Sequence, residues 1–361
     1  VDGLKLAFES DSVATGFNVA SMLLGCAIGA LIAGKSADAY GRKKVLLVTA
    51  VLFILSAWGS GIAGSSGEFV FYRLIGGLAV GAASILTPAY ISEIAPSRLR
   101  GRLTSIQQVA IISGLFCSFF SNYSLVQVSG NSMETLWLGF DTWRWMFWVE
   151  LVPASIFLVA LIFIPESPRY LAMNNQYEKG TTILTSLFGA KNAALMWDEI
   201  RMSLRNTEKS KLRNLFVHNS FKLKPVMYVG IGLAILQQLV GINVVFYYGA
   251  VLWQAAGFSE SDALMINIIS GAVSIAAVFV AIYWIDKIGR KPLLLIGSIG
   301  MAITLATMVY AFANAGLNAQ GEFTLGQYGV FALIAANAYV FFFNLSWGPV
   351  MWVMLGEMFP N

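Results

Sequence analysis

Nine apolar stretches of about 20 residues divide the sequence, at 12–34, 45–63, 69–94, 101–122, 143–164, 225–255, 262–285, 292–314 and 325–358. A helix of that length crosses the ~30 Å hydrocarbon layer of a bilayer. Within lipid the backbone must satisfy its own hydrogen bonds, so nine such stretches predict an all-α, polytopic membrane protein. Composition agrees: 57% of the 361 residues are hydrophobic and 12% are charged, about half the charged share of an average soluble domain. A soluble core has no room for that surplus, whereas a bundle facing lipid does.

The basic residues then set an orientation. Of the 23 Lys and Arg residues, four lie in 35–44, three in 98–102, ten in 165–224 and three in 287–291. The opposite set of loops holds only Lys5, while Arg73 and Arg144 fall in or at the edge of spans. The positive-inside rule puts the basic loops in the cytoplasm and the segment before the first span outside. The net charge of +4 is thus a matter of topology, and no nucleic-acid partner is expected. The reading is of a multi-pass protein of the plasma or bacterial inner membrane, with the lipid bilayer as its surroundings and a monomeric state.

A self-comparison finds a repeat. Asp38-Ala-Tyr-Gly-Arg-Lys43 is echoed by Asp286-Lys-Ile-Gly-Arg-Lys291, and Ser92-Glu-Ile-Ala-Pro96 by Gly356-Glu-Met-Phe-Pro360, in the same order. Duplication of this kind predicts two bundles with a substrate site between them at mid-membrane. The expected division is an N-terminal bundle, 1–164, a cytoplasmic helical linker, 165–224, and a C-terminal bundle, 225–361. Two spans precede the second Asp-x-x-Gly-Arg loop and one precedes the first. Two follow Pro96 before the linker and none follows Pro360. The repeat therefore predicts nine of twelve spans, with the first and the last two absent.

Charges at helix ends form candidate ion pairs: Asp38, Arg42, Glu93 and Arg100 in the first half, Asp286, Arg290 and Glu357 in the second, with Glu166 and Arg169 beside them. Such pairs could hold an inner gate closed; a solvated basic loop is the alternative. Within the spans, side chains that hydrogen-bond are costly unless satisfied. Gln107 and Gln108, then Gln237, Gln238, Asn243, Tyr247 and Tyr248 around Gly241, and Trp347, Gly348, Pro349 and Trp352, stand out. Amides that donate and accept, beside rings that cover C–H faces, suit a neutral polyhydroxylated ligand; interhelical hydrogen bonding is the alternative. Gln237 and Gln238 point about 100° apart on a straight helix, so both reach one ligand only if the helix breaks, as Gly241 and Pro349 permit. Arg73 and Glu150 are intramembrane charges and candidates for proton coupling, or an inert structural pair. Gly25 with Gly29, and Gly77 with Gly81, fit close helix packing. Cys26 and Cys117 lie in apolar runs as packing residues, and His218 has no Cys or second His near it, so neither a metal site nor a cofactor is expected. No nucleophile with a base stands out, so the chain is not expected to be an enzyme.

Taken together, Arg73-Leu-Ile-Gly-Gly-Leu-Ala-Val-Gly81, Pro165-Glu-Ser-Pro-Arg169, Gln237-Gln-Leu-Val-Gly-Ile-Asn243 and Trp347-Gly-Pro349 resemble the sugar porter family of the major facilitator superfamily. The resemblance covers the whole chain, in order. It implies the major facilitator fold and transport of a monosaccharide, a hexose or pentose, by alternating access. Proton-coupled symport is the expectation; a facilitative uniporter, a polyol transporter and a sugar sensor that does not transport are the alternatives. By the same resemblance Gln108, Gln237, Gln238, Asn243, Tyr247 and Trp352 fall on sugar-contacting positions, and Ser274 stands where members commonly carry a sugar-binding Asn. Arg42, Glu93, Arg100, Glu166, Arg169, Asp286, Arg290 and Glu357 would form the inner gate. Proton-coupled members pair the arginine matching Arg73 with an acid on the first span; uniporters keep the arginine too.

Overall fold

Helices begin where a short polar side chain precedes an apolar run. Asp11 accepts from the Ala14 N–H to start α2 (Ser12–Tyr40), Ser65 from Glu68 to start α4 (Ser66–Ile94), and Ser259 from Asp262 to start α13 (Glu260–Ile288), each covering an amide the helix leaves free. The computed structural model describes residues 2–9, 11–95, 100–206, 223–317 and 323–358. Among them, nine stretches are helical, long and apolar enough to cross a membrane, matching the nine expected from the sequence. The chain divides into two compact units, Val1–Thr104 with Val128–Ser210, and Ser105–Gln127 with Lys211–Asn361.

In the first unit α1 (Asp2–Ala7) precedes α2, α3 (Arg42–Ile62) and α4, followed by α6 (Thr142–Trp148) and α7 (Leu151–Phe163). A Cβ at Gly25 or Gly29 would land on the carbonyl of Leu74 or Leu78, and one at Gly77 or Gly81 on that of Met22 or Cys26. The four glycines thus let α2 and α4 meet backbone to backbone, as their spacing suggests. Ala33, Ala37, Leu46, Ala50, Leu86 and Leu161 fill the space between these helices and α3 and α7. The stretch read as one span at 143–164 is two helices, because Pro153 has no N–H for the Val149 carbonyl; Val149 accepts from Val152 instead.

Beyond it, α8 (Pro168–Met173), α9 (Tyr177–Phe188) and α10 (Ala190–Asn206) are the short helices expected of the polar stretch. They share a small core of their own, Leu171, Ala172, Leu184, Ala193 and Trp197, with the Trp197 ring lying against Gly180.

The second unit holds most of α5 (Arg100–Ser129), then α11 (Pro225–Leu239), α12 (Ile242–Ala255), α13, α14 (Arg290–Ala313), α15 (Gly329–Leu345) and α16 (Pro349–Met358). A two-residue antiparallel pair, β1 (Gly316–Leu317) and β2 (Phe323–Thr324), sits between α14 and α15. α5 joins this unit through Phe119, 6.4 Å from the Phe246 ring, and through Gln127, which donates to Ser261 at 2.7 Å. Tyr339, Val340, Leu293, Val350 and Met351 make the core.

The repeat is visible in the corners. Gly41 joins α2 to α3 at φ +100°, and Gly289 joins α13 to α14 at φ +91°, a backbone state nearly closed to other residues. One Asp-x-x-Gly-Arg-Lys sequence therefore builds the same bend twice.

Candidate functional site

The amide cluster sits at a helix break. Gly241, at φ +88°, stops α11 and opens α12, and the buried Tyr339 hydroxyl covers the end of α11 by donating to the Val240 carbonyl at 2.5 Å. Across the break, Asn243 Nδ2 donates to Gln238 Oε1 at 3.0 Å, and Gln238 Nε2 donates to Gln237 Oε1 at 2.8 Å. The break folds the three amides into one hydrogen-bonded chain, although neighbouring Gln237 and Gln238 diverge on a straight helix. Among the described residues, Gln237 Nε2 and Asn243 Oδ1 make no further hydrogen bond, so the chain ends in one donor and one acceptor. A hydroxyl group needs both.

Gln108 is half-buried on α5. It shares a helix face with Ile112, Phe116 and Phe119, four, eight and eleven residues on. That face packs on α12 and α13, since Phe119 meets Phe246 and Phe116 lies against Gly271. Trp352, on α16, is 57% exposed, leaving its ring open to a ligand. Trp347 is buried and donates to Ser298 at 2.9 Å, which fixes the segment between α15 and α16. The Tyr247 and Tyr248 side chains lie outside the described residues.

Ser274 is fully buried. Its hydroxyl donates to the Ser270 carbonyl at 2.7 Å and accepts from Asn344 Nδ2 at 3.1 Å. Asn344 also donates to the Val340 carbonyl. In this conformation Ser274 therefore ties α13 to α15.

The charged cluster of the first unit centres on Arg42. Its guanidinium lies 2.9 Å from Asp38 and 3.1 Å from Glu93, and donates to the Ala37 carbonyl at 3.0 Å. Glu93 in turn accepts from the Ser167 hydroxyl. Glu166 joins through one oxygen that takes the backbone N–H groups of Arg42, Lys43 and Ser167 at 3.0, 3.1 and 2.9 Å. It thus sits on the N-terminus of α3, where the helix dipole favours a carboxylate. Arg169 forms no ion pair with a described residue. In the second unit Arg290 lies 3.1 Å from Asp286 and donates to the Ile285 carbonyl at 3.2 Å, repeating the bonds that Arg42 makes to Asp38 and Ala37. The side chains of Arg100 and Glu357 lie outside the described residues.

Arg73 and Glu150 both belong to the first unit. The Arg73 guanidinium lies 5.7 Å from the centre of the Phe147 ring, and Phe147 is one turn before Glu150.

Several contributors escaped the sequence reading. Ser167 was marked only by its Ser-Pro helix start, and Tyr90, which donates to the Pro165 carbonyl at 2.7 Å, by nothing. Asn344 and Tyr339 could have been flagged as polar groups within an apolar run.

Nine stretches among the described residues that are long and apolar enough to cross a membrane, a duplicated glycine corner and a broken helix carrying linked amides are the features of a multi-pass membrane protein of the major facilitator type. The family model described as "Sugar (and other) transporter" matches residues 5–361. A glucose transport protein of Synechocystis sp. is 47% identical over 363 residues, covering 100% of this chain and 77% of the relative. The D-xylose-proton symporter of Escherichia coli is 39% identical, over 96% of this chain and 70% of its own. Among solved structures, a partially occluded inward-open form of the E. coli xylose transporter XylE superposes with a TM-score of 0.83 at 36% identity, covering 100% of this chain and 80% of that one. The chain belongs to the sugar (and other) transporter family.

Proposed function

We propose that this protein carries a monosaccharide, a hexose or pentose, across a cell membrane by alternating access, with no covalent step. The observation that carries the reading is the Asn243–Gln238–Gln237 chain at the Gly241 break, which ends in one donor and one acceptor. Gln108, Tyr247 and Trp352 complete the sugar contacts in this reading, the aromatic rings covering C–H faces of the sugar. Ser274 is assigned to the same site by its place in the family pattern. The relatives named for glucose and xylose support the substrate class.

Transport is proton-coupled in this reading, supported by the relative named as a xylose-proton symporter and by the placement of Arg73 near Glu150. The Arg42 cluster, with Arg100, Arg169 and the Asp286, Arg290 and Glu357 set of the second repeat, acts as the cytoplasmic gate, forming and breaking as access alternates. The segment before α2 faces outside, residues 165–224 form a cytoplasmic linker between bundles 1–164 and 225–361, and the protein works as a monomer.

Counterflow of labelled glucose and xylose in vesicles, with competition by a panel of sugars and polyols, tests this. Exchange blocked by monosaccharides supports it. Exchange blocked by inositol alone assigns a polyol, and binding without exchange assigns a sensor.

A further inference from the structure

The first unit carries a second feature built for a ligand, unrelated to the amide cluster. Trp58, Trp137, Trp145 and Trp148 line a groove of about 530 Å³ together with Val149, Leu151 and Val152. Trp137 and Trp145 meet edge to face at 5.3 Å, Trp145 and Trp148 at 5.0 Å, and Phe140 braces Trp148 at 5.0 Å, so the cradle is preorganised. The indole N–H groups of Trp145 and Trp148 are spent on the backbone carbonyls of Trp137 and Trp58, at 3.3 and 3.2 Å. The Trp145 and Trp148 rings therefore present hydrocarbon to the groove, and among its four indoles the N–H groups of Trp58 and Trp137 are left to donate to a carbonyl.

The groove opens onto two apolar stripes. On α7, Val152, Ile156, Val159 and Phe163 are exposed and fall four, seven and eleven residues apart, which is one helix face. On α3, Leu55, Val51 and Val48 lie three, seven and ten residues before Trp58, and all four are exposed on one face. α3 and α7 pack together, with Phe53 and Phe157 in contact at 6.5 Å, and Trp58 and Val152, which line the groove, each head one of the two stripes. The tryptophans stand at the span ends, where indole rings favour the headgroup boundary.

We infer that this groove is a binding site for one acyl chain of a bilayer phospholipid, held at its carbonyl end by the tryptophan cradle. The continuity of the groove with the lipid-facing stripes selects this occupant over a soluble ligand.

The test uses the protein in phosphatidylcholine vesicles that contain a phosphatidylcholine with a photoactivatable diazirine near the acyl carbonyl. Peptide mapping should find label concentrated at Trp58 and within 137–152, saturating as the probe fraction rises. Label on the exposed face of α14 should instead rise in proportion. Trp145→Ala should cut cradle labelling by about fivefold and leave α14 unchanged, and Trp145→Phe should restore most of it, which separates lost binding from a lost fold. Label spread evenly over exposed apolar surface, without saturation, overturns the inference. So does cross-linking of one copy of the chain to another through the cradle.

Discussion

Arg42 and Glu93, on different helices and 51 residues apart in sequence, lie 3.1 Å apart with side chains only 10% and 9% exposed. A guanidinium this deeply placed needs several acceptors, and Asp38 and the Ala37 carbonyl supply the others. Removing Arg42 leaves the buried Glu93 carboxylate without its cation, which costs about 3–5 kcal/mol. Arg42→Ala should therefore lower the melting temperature in detergent far more than Asp286→Ala, which removes a carboxylate that is 79% exposed from a pair worth about 0–1 kcal/mol. Equal effects would contradict this account of the cluster.

The α2–α4 contact predicts a sharp contrast among glycines of one helix. Gly29→Ala drives a methyl into the Leu78 carbonyl, while a Cβ at Gly34 meets nothing within 4 Å. Thermal unfolding should show Gly29→Ala strongly destabilised. Gly34→Ala should be neutral or stabilised by up to about 1 kcal/mol, the helix-propensity gain of alanine.

Gly241 has open space around its Cβ position, with only the Tyr339 hydroxyl at 4.0 Å, so a substitution there acts through the backbone alone. Holding alanine in the left-handed state costs about 1–2 kcal/mol. Relief of that strain by straightening the helix would pull Asn243 from Gln238. Gly241→Ala should raise the KM for sugar with little change in expression, measured by initial uptake rates over a range of concentrations.

Much of this was legible beforehand because its causes are local. Span lengths, the Asp-x-x-Gly-Arg corners and the break at Gly241 follow from hydropathy, charge and backbone freedom at single positions. Arg42 and Glu93 were legible as members of one set of charges at helix ends, but their pairing was not, since it depends on how α3 and α4 pack. The role of Glu166 was not, since its partners are backbone N–H groups that leave no trace in side-chain chemistry. The pairing of Ser274 with Asn344 was hidden for another reason: it depends on how α13 and α15 register, which no spacing within either helix reports. The split of α6 from α7 could have been read from Pro153.

That pairing gives a further prediction. Ser274 has no exposed surface, so the longer side chain of Ser274→Asn must compete with Asn344 for one space. The single variant should be destabilised and slow in transport. The exchange Ser274→Asn with Asn344→Ser should recover stability and shift the ranking of sugars in competition assays, because the amide now projects from α13.

The central claim is that the linked amides at the Gly241 break recognise a sugar that the protein transports. The most direct measurement is uptake of labelled glucose and xylose by reconstituted vesicles, with and without an imposed inward proton gradient, for the native protein and Gln238→Ala. The account predicts saturable uptake of at least one of the two sugars, concentrated by the gradient, with Gln238→Ala reducing it by roughly tenfold or more as the middle link of the chain is lost. Uptake that Gln238→Ala leaves unchanged, or no movement of either sugar by the folded native protein, would contradict it.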